Sequence, residues 1–411
     1  MATLEQEGKG MILTINTGSS TIKYQLFSSD VEQVLARGIV SRIGEEGSYI
    51  VHAARGREVR KEIPLRSHHE AFELAIQHLL HPQYGAIHNI NEIEAVGHRA
   101  VHGADAFMAS TLITDEVLDK MSELAPLAPL HNPPNLVGMR EGRSLLRGVP
   151  HVAVFDTAFH QTMPPRAYMY ALPYRFYEEH RIRRYGFHGT SCRYVSHRAA
   201  ALLQRPLKEL NSVVCHLGNG VTITAVKGGE SVDTSIGFAT FGGVMMGTRA
   251  GDVDPGLVFH FNRELGIGIE EYERIVYYES GLLGISGVGN DMRVITAAAE
   301  AGHERARLAM DMFAYMIKKY VGAYAAAMGG INCLIFTAGI GENSAPVRRM
   351  VCEGLEFLGI RVDPASNEDA VGGREMVISP PEAGCTVAVI PTDEEKMIAI
   401  DTRRIANLQP V

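Results

Sequence analysis

Cysteine is scarce and scattered: Cys192, Cys215, Cys333, Cys352 and Cys385 are the only five in 411 residues, and no two form a Cys-x-x-Cys pair. An odd, dispersed set excludes a disulfide framework and a zinc knuckle and predicts a reducing, cytoplasmic setting. A basic excess is missing too, since 39 Lys and Arg stand against 47 Asp and Glu for a net charge of −8. That balance offers no footprint for nucleic acid or an anionic membrane, so small molecules are the expected partners. The one uncharged stretch of membrane-like length, Val321 to Gly341, is broken by Gly329, Gly330 and Asn332 and reads as helix, turn and buried strand. Glu5 and Glu7 stand where a secretory signal would be basic, and no export is expected.

Common nucleotide signatures are also lacking. Gly8-Lys9 is followed by Gly10 rather than Ser or Thr, and no strand-to-helix turn completes G-x-G-x-x-G, which excludes a P-loop and a plain Rossmann enzyme. What is present is a chain 46% hydrophobic and 21% charged, long enough for more than one core at roughly 100–200 residues per domain.

Met11–Asn16 and Ile22–Phe27 read as strands around a hydroxyl-rich turn, and Val213–Leu217 and Val221–Val226 repeat that plan around Gly218-Asn219-Gly220. Two hairpins so far apart predict a duplicated domain. Ser67-His68-His69-Glu70 is a capping box for a helix closed by Pro82, Asn135 is placed to cap a helix through Leu145, and Thr190 or Ser191 one to Leu203. The proline-rich segment 125–134 reads as a stiff connector that fixes His131. Val152–Phe155 ends in Asp156, and Leu334–Ala338 ends in Gly339-Ile340-Gly341-Glu342-Asn343. Both read as buried strands releasing the chain into polar loops, where open α/β sheets bind ligands.

Each of the turns at Gly18, Gly218 and Gly339 can bring backbone N–H groups close to a phosphate, although such turns also close hairpins for geometric reasons alone. Arg99 and Arg249 lie among small and apolar residues, as ion-pair partners or as anion clamps. His188 precedes a helix start, a setting that favours anions. The histidines at 68, 69, 78 and 81 lack metal spacing and read as packed or solvated. Asp156 and the run Thr392-Asp393-Glu394-Glu395-Lys396 offer carboxylates for Mg²⁺ or, alternatively, a helix cap and solvated surface, which is the reading adopted for Glu395 and Lys396.

Taken in order, Asn16-Thr17-Gly18-Ser19-Ser20-Thr21-Ile22-Lys23, Gly97-His98-Arg99, Pro129–Asn135, Phe155–His160, Tyr185–Ser191, His216–Gly220, Met246–Arg249, Thr337–Asn343 and Pro391–Glu395 resemble the acetate kinase family of the acetate and sugar kinase superfamily. The resemblance runs from Met11 to about Arg404. It implies an α/β fold of two duplicated ribonuclease-H-like (actin-like ATPase) domains with an inter-domain cleft. Residues 1–10 would be a flexible extension, 11–155 with 395–411 the first domain, and 156–394 the second, nucleotide-binding one, through which a homodimer forms. It also implies reversible phosphoryl transfer from ATP to acetate with Mg²⁺, or Mn²⁺, as the metal.

By the same resemblance Arg99, His131, Asp156, His188 and Arg249 are catalytic, while Asn16 and Glu394 position the metal. Ser19, Thr21, Lys23, His216, Asn219 and Gly220 lie on the phosphate side. Asp291, Met292, Arg293, Gly339, Ile340 and Asn343 form the adenosine pocket, and Val101, Leu130, Phe187 and Thr240 the pocket for the acid. The chain departs from the family at Thr21, usually Ser; at Cys192, where a His is usual and a packed thiol is expected; and at Thr240 and Gly242, usually Pro and Glu. Thr240 leaves propionate as the alternative substrate, since one methylene in an apolar pocket is worth only about 1–3 kcal/mol. Two rivals belong to other classes: an actin-like filament protein, which needs no second anion clamp, and a sugar kinase, for which Asp156 would act as base.

Overall fold

The computed structural model describes residues 10–408; the expected extension at residues 1–10 lies outside them except for Gly10. Both hairpins form. Met11–Thr17 (β1) pairs antiparallel with Thr21–Phe27 (β2), Asn16 opposite Lys23, and Gly18 N donates to Thr21 O across the turn. Val34–Ser41 (β3), Tyr49–Ala54 (β4), Arg57–Glu62 (β5), Ile93–Ala100 (β6), Thr111–Leu112 (β7) and His151–Phe155 (β8) complete a sheet ordered β5-β4-β3-β2-β1-β6-β8-β7. Asn211–Leu217 (β9), Val221–Lys227 (β10), Glu230–Thr234 (β11), Cys333–Thr337 (β12), Met376–Val377 (β13) and Thr386–Val389 (β14) form a second, ordered β11-β10-β9-β12-β14-β13.

Five strands in each sheet follow one plan. In β3-β2-β1-β6-β8 and in β11-β10-β9-β12-β14 an antiparallel meander of three is extended by two strands parallel to its first. This is the ribonuclease-H-like order, present twice. The parallel strands β8 and β12 are buried at every position, as expected where both faces of a sheet are covered. The sheets lie in two compact units, one comprising residues 10–158 with 393–408, the other Phe159–Thr392.

In the first unit, Leu13, Ile15, Tyr24 and Val40 pack with Phe72 and Leu79 of helix His68–Leu79. The opposite face receives helix Glu394–Ile405, whose Ile398 joins Val152 and Val154. That helix fits because residue 97 is glycine: a Cβ there would stand 2.2 Å from Thr402 Oγ1. In the second unit, Cys192, Val195, Val214, Cys333 and Ile335 share a core. All five cysteines are free and buried, so Cys192 is a packed thiol.

Several helix starts differ from expectation. Ser67 caps its helix by accepting from Glu70 N, but Glu70 reaches back to Arg66 N at 2.7 Å, one residue beyond the predicted partner. The helix assigned to Asn135 begins at Asn132, with Pro133 and Pro134 in the first turn, where amide donors are not needed. Asn135 is thus helical and its side chain is used elsewhere. The helix assigned to Thr190 or Ser191 begins at Gly189, with His188 at its start in a left-handed conformation, φ 53°. After β12 the chain enters a short helix, Ala338–Asn343, rather than a loop.

Three buried histidines of the first unit are held neutral by burial. His151 Nε2 donates to Leu146 O at 3.1 Å, so its Nδ1 accepts from His98 Nε2 at 2.9 Å, and His102 Nδ1 accepts from Ala104 N at 3.0 Å. Burial pulls His151 and His102 down to about 4 and His98 well below its usual value. Their stabilising contribution is present above the unfolded value near 6.5 and is lost as the unfolded chain alone takes up protons below it. Chemical denaturation is expected to show stability falling between about pH 6.5 and 4, and His98→Asn, if folded, to flatten that slope. A slope unchanged by the substitution would contradict the assignment.

Candidate active site

In the first unit the marked residues leave adjacent strand ends. Arg99 lies near the end of β6 opposite Val154 of β8, and Asp156 follows β8 directly. Arg99 Nη2 and Nε donate to Asp156 Oδ2 at 2.7 and 3.2 Å, and Asp156 is 1% exposed. Burial works against the Arg99 charge, but Asp156 and Glu394 outweigh it and its pKa is raised.

Glu394 opens the last helix, next to its cap Asp393, which accepts from Lys396 N at 2.9 Å. Of that acidic run, Asp393 therefore acts as the cap, and Lys396 pairs with Glu32 at 3.1 Å. Glu394 Oε1 is buried with no hydrogen-bond partner. Burial pushes its carboxyl up to about 7, Arg99 and Lys23 pulling it down and Asp156 and Glu395 pushing it up. A buried acceptor in that state is costly unless a cation or donor joins it, and this fits a metal-facing role. Among the described residues no three His, Cys, Asp or Glu side chains form a metal cluster. Asn16, half-buried near the end of β1, belongs to the same unit.

Ser19 on the turn between β1 and β2 and Lys23 on β2 are exposed, and Thr21 at the start of β2 is half-buried. The turn's anchor is His68, whose Nε2 donates to Gly18 O at 2.9 Å. His68 is therefore not one of the bland helix histidines; the long sequence separation hid the contact. A second unforeseen device is the pair Asn132 and Asn135. Asn135 accepts from Val101 N at 3.0 Å and donates to Thr17 O at 2.8 Å, tying the ends of β6 and β1 together. Asn132 accepts from His102 N at 3.3 Å and donates to His102 O at 3.1 Å. Val101 is buried, His131 half-buried and Leu130 58% exposed around this brace.

In the second unit, His188 Nδ1 meets Thr222 Oγ1 at 2.8 Å, and its ring stacks on His216 with centroids 4.2 Å apart. Gly220 permits this: a Cβ there would approach His188 Cε1 to 3.1 Å. Thr392 Oγ1 donates to Ser191 Oγ at 2.7 Å, so Ser191 has its own proton to give to His216 Nδ1 at 2.8 Å. The His216 proton is then on Nε2. A left-handed, non-glycine His188 is a strained position of a kind that clusters at functional sites. Phe187 beside it is buried.

Arg249 differs from Arg99. Its Nη1 donates to Thr240 O at 2.9 Å, and among the described residues it pairs with no carboxylate. Burial lowers its pKa, with Tyr277 and Tyr278 partly countering that. A half-buried cation without a counter-charge is poised to take an anion. The Arg249 segment approaches the Asn219 turn closely, since Gly247 N donates to Asn219 O at 3.1 Å and a Cβ at 247 would stand 2.0 Å from Asn219 Oδ1.

Asn219 also lines a pocket of about 870 Å³ with Gly218, Asp291, Met292, Arg293, Gly339, Ile340 and Asn343. Asp291 caps helix Met292–Glu300 and pairs with Arg293 at 2.6 Å, which holds the Asp291 carboxyl down at about 2. One wall rests on the fully buried Arg348, which donates to Gly341 O and to Asn367. Arg348 had no motif to mark it.

Residues 11–400 match the family described as the Acetokinase family. The chain belongs to that family. The acetate kinase of Thermotoga petrophila is 51% identical over 395 residues, covering 96% of this chain and 98% of that one. A crystal structure of Porphyromonas gingivalis acetate kinase superposes with a TM-score of 0.93 at 48% identity, over 96% of this chain and 99% of that one. A propionate kinase from Francisella tularensis does so with a TM-score of 0.89 at 38% identity, over 96% and 100%. Within this acetokinase chain the unusual Gly242 is not demanded by the backbone: a Cβ there would be 3.8 Å from Asp252 Oδ1, ordinary contact.

Proposed function

We propose that this chain transfers the γ-phosphoryl group of ATP to acetate, reversibly, giving acetyl phosphate and ADP. The reading is carried by the match to acetate kinases at about half identity over nearly the whole of both chains. Acetate, with a carboxyl pKa of about 4, is ionised at neutral pH, so its oxygen attacks phosphorus in line without a general base while the bond to the ADP oxygen breaks. The barrier is repulsion between two anions, and positioning plus charge neutralisation lowers it.

Arg249 and Arg99 hold the carboxylate and the transferring group in this reading. His188 and His131 donate to the equatorial oxygens, and Asp156 orients Arg99. Ser19, Thr21, Lys23, His216, Asn219 and Gly220 serve the phosphates, and the 870 Å³ pocket takes the adenosine. Glu394 and Asn16 hold Mg²⁺, which neutralises phosphate charge when bound. Val101, Leu130, Phe187 and Thr240 face the methyl group of the acid. Roles thus fall on both units.

The sugar-kinase alternative is disfavoured because Asp156 already receives the Arg99 fork. A homodimer through the second unit is supported by helix Leu257–Glu264, which buries none of its residues yet exposes Leu257 and Phe259, with Leu265 and Ile269 exposed nearby. No helix among the described residues is long and apolar enough to cross a membrane, and five reduced thiols suit the cytoplasm.

ADP formation from ATP and Mg²⁺ with acetate, propionate, glucose, glycerol or water alone tests the reading. Acetate is expected to be preferred and propionate accepted. Propionate turnover at least about tenfold better would reverse the naming, given the size of a one-methylene effect. Equal ADP formation without any acid would reject the reaction.

A further inference from the structure

Arg249 aims its guanidinium at a carbonyl on the other arm of its own loop. Its Nη1 donates to Thr240 O at 2.9 Å, so where the cation stands depends on how the arm 240–243 meets the arm 249–252. The two arms are joined at Asp252. Its N donates to Gly243 O at 2.7 Å and its Oδ1 accepts from Gly243 N at 2.7 Å, which closes the loop with a two-bond clip. Glycines make so close a crossing possible: a Cβ on Gly251, at φ 73°, would stand 2.5 Å from Gly243 O, and one on Gly243, at φ 91°, 2.8 Å from Ser235 O.

The second carboxylate oxygen is held from a different element. Tyr320 Oη donates to Asp252 Oδ2, and Tyr320 stands half-buried on helix Glu304–Met328, which is anchored by the buried Phe313, Ile317 and Val321. Main-chain bonds fix the Arg249 arm separately, since Ala250 N donates to Val276 O and Ser280 N to Thr248 O, each at 2.9 Å. Asp252 carries that hold across to the arm that supplies Thr240 O. Both oxygens of the acidic side chain three residues beyond Arg249 are thereby engaged by partners other than the guanidinium, and Arg249 pairs with no carboxylate among the described residues.

We infer that Asp252 is a positioning residue for the acid side of the reaction and that Tyr320 holds its carboxylate in place, the two together closing the loop that aims Arg249 and keeping that cation open to an external anion. The inference rests on the acetate-phosphorylating reading, in which neither residue touches a reacting atom.

The test compares wild type, Asp252→Ala, Tyr320→Phe and the double variant, with acetate and ATP varied separately. Tyr320→Phe keeps the ring and loses only the hydroxyl. It is expected to lower kcat/KM for acetate about three- to tenfold, the worth of one hydrogen bond, chiefly by raising the KM for acetate. Asp252→Ala loses both side-chain bonds and is expected to cost about tenfold or more, while the KM for ATP stays within about twofold in either variant. A chain that merely folded less completely would lower kcat and leave both KM values alone. In the Asp252→Ala background, Tyr320→Phe is expected to add under about twofold, because the bond it removes is already gone. An unchanged KM for acetate in either single variant, an equal rise in the KM for ATP, or losses that multiply in the double variant would each overturn the inference. Wild type inactive toward acetate would instead reject the reading on which it rests.

Discussion

Arg249→Ala is expected to lower the turnover of acetate phosphorylation by on the order of 10²-fold or more, the usual loss when one preorganised transition-state donor is removed. The structural reason is that Arg249 has no internal anion: it donates to Thr240 O and pairs with no carboxylate among the described residues. Its charge is therefore available to an external anion, which in the proposed reaction is the charge that accumulates as the acid oxygen meets the phosphoryl group. Arg99 is expected to behave differently on truncation. Arg99→Ala removes the ion-pair partner of the buried Asp156 carboxylate, so a loss of folding stability accompanies the loss of turnover. Steady-state kinetics with thermal unfolding on both variants separates the two cases. Near-normal turnover for Arg249→Ala would remove the acid clamp from the mechanism.

Glu394→Gln is the second large effect, and its two readouts move in opposite directions. The amide keeps the size of the side chain and removes the charge that Mg²⁺ needs, so turnover at fixed Mg²⁺ is expected to fall on the order of 10²-fold, a loss typical of charge stabilisers. The Mg²⁺ concentration for half-maximal rate should rise. Stability in the metal-free protein, by contrast, should hold or increase, because Glu394 Oε1 is buried without a partner and burial already resists its ionisation. Stability lost together with turnover would instead mark Glu394 as a structural residue. Turnover and Mg²⁺ dependence both close to wild type would remove it from the metal site.

Local patterns made much of this legible. Short apolar runs on either side of Gly18 and Gly218 revealed both hairpins and hence the duplication, because strand-length apolar runs and a turn's small residues are short-range signals. The order of the motifs along the chain carries the resemblance to the family. Helix starts were read less well. Asn135 has the chemistry of a cap, but the prolines at 133 and 134 suit the first turn better, and the amide was worth more as a brace between Thr17 and Val101. His68 and Arg348 carried no signal of their own, since what each holds, Gly18 O and Gly341 O, is a backbone atom that any residue could supply.

By itself, then, the order of residues determined the two hairpins, the family and the kind of chemistry, since those follow from which groups exist and in what order they stand. Only the folded chain decided that Arg99 is already paired with Asp156 while Arg249 pairs with no carboxylate among the described residues, and that one oxygen of Glu394 is sealed from water without a partner. Charge pairing and solvent access depend on distances between groups far apart along the chain, and no local pattern encodes them.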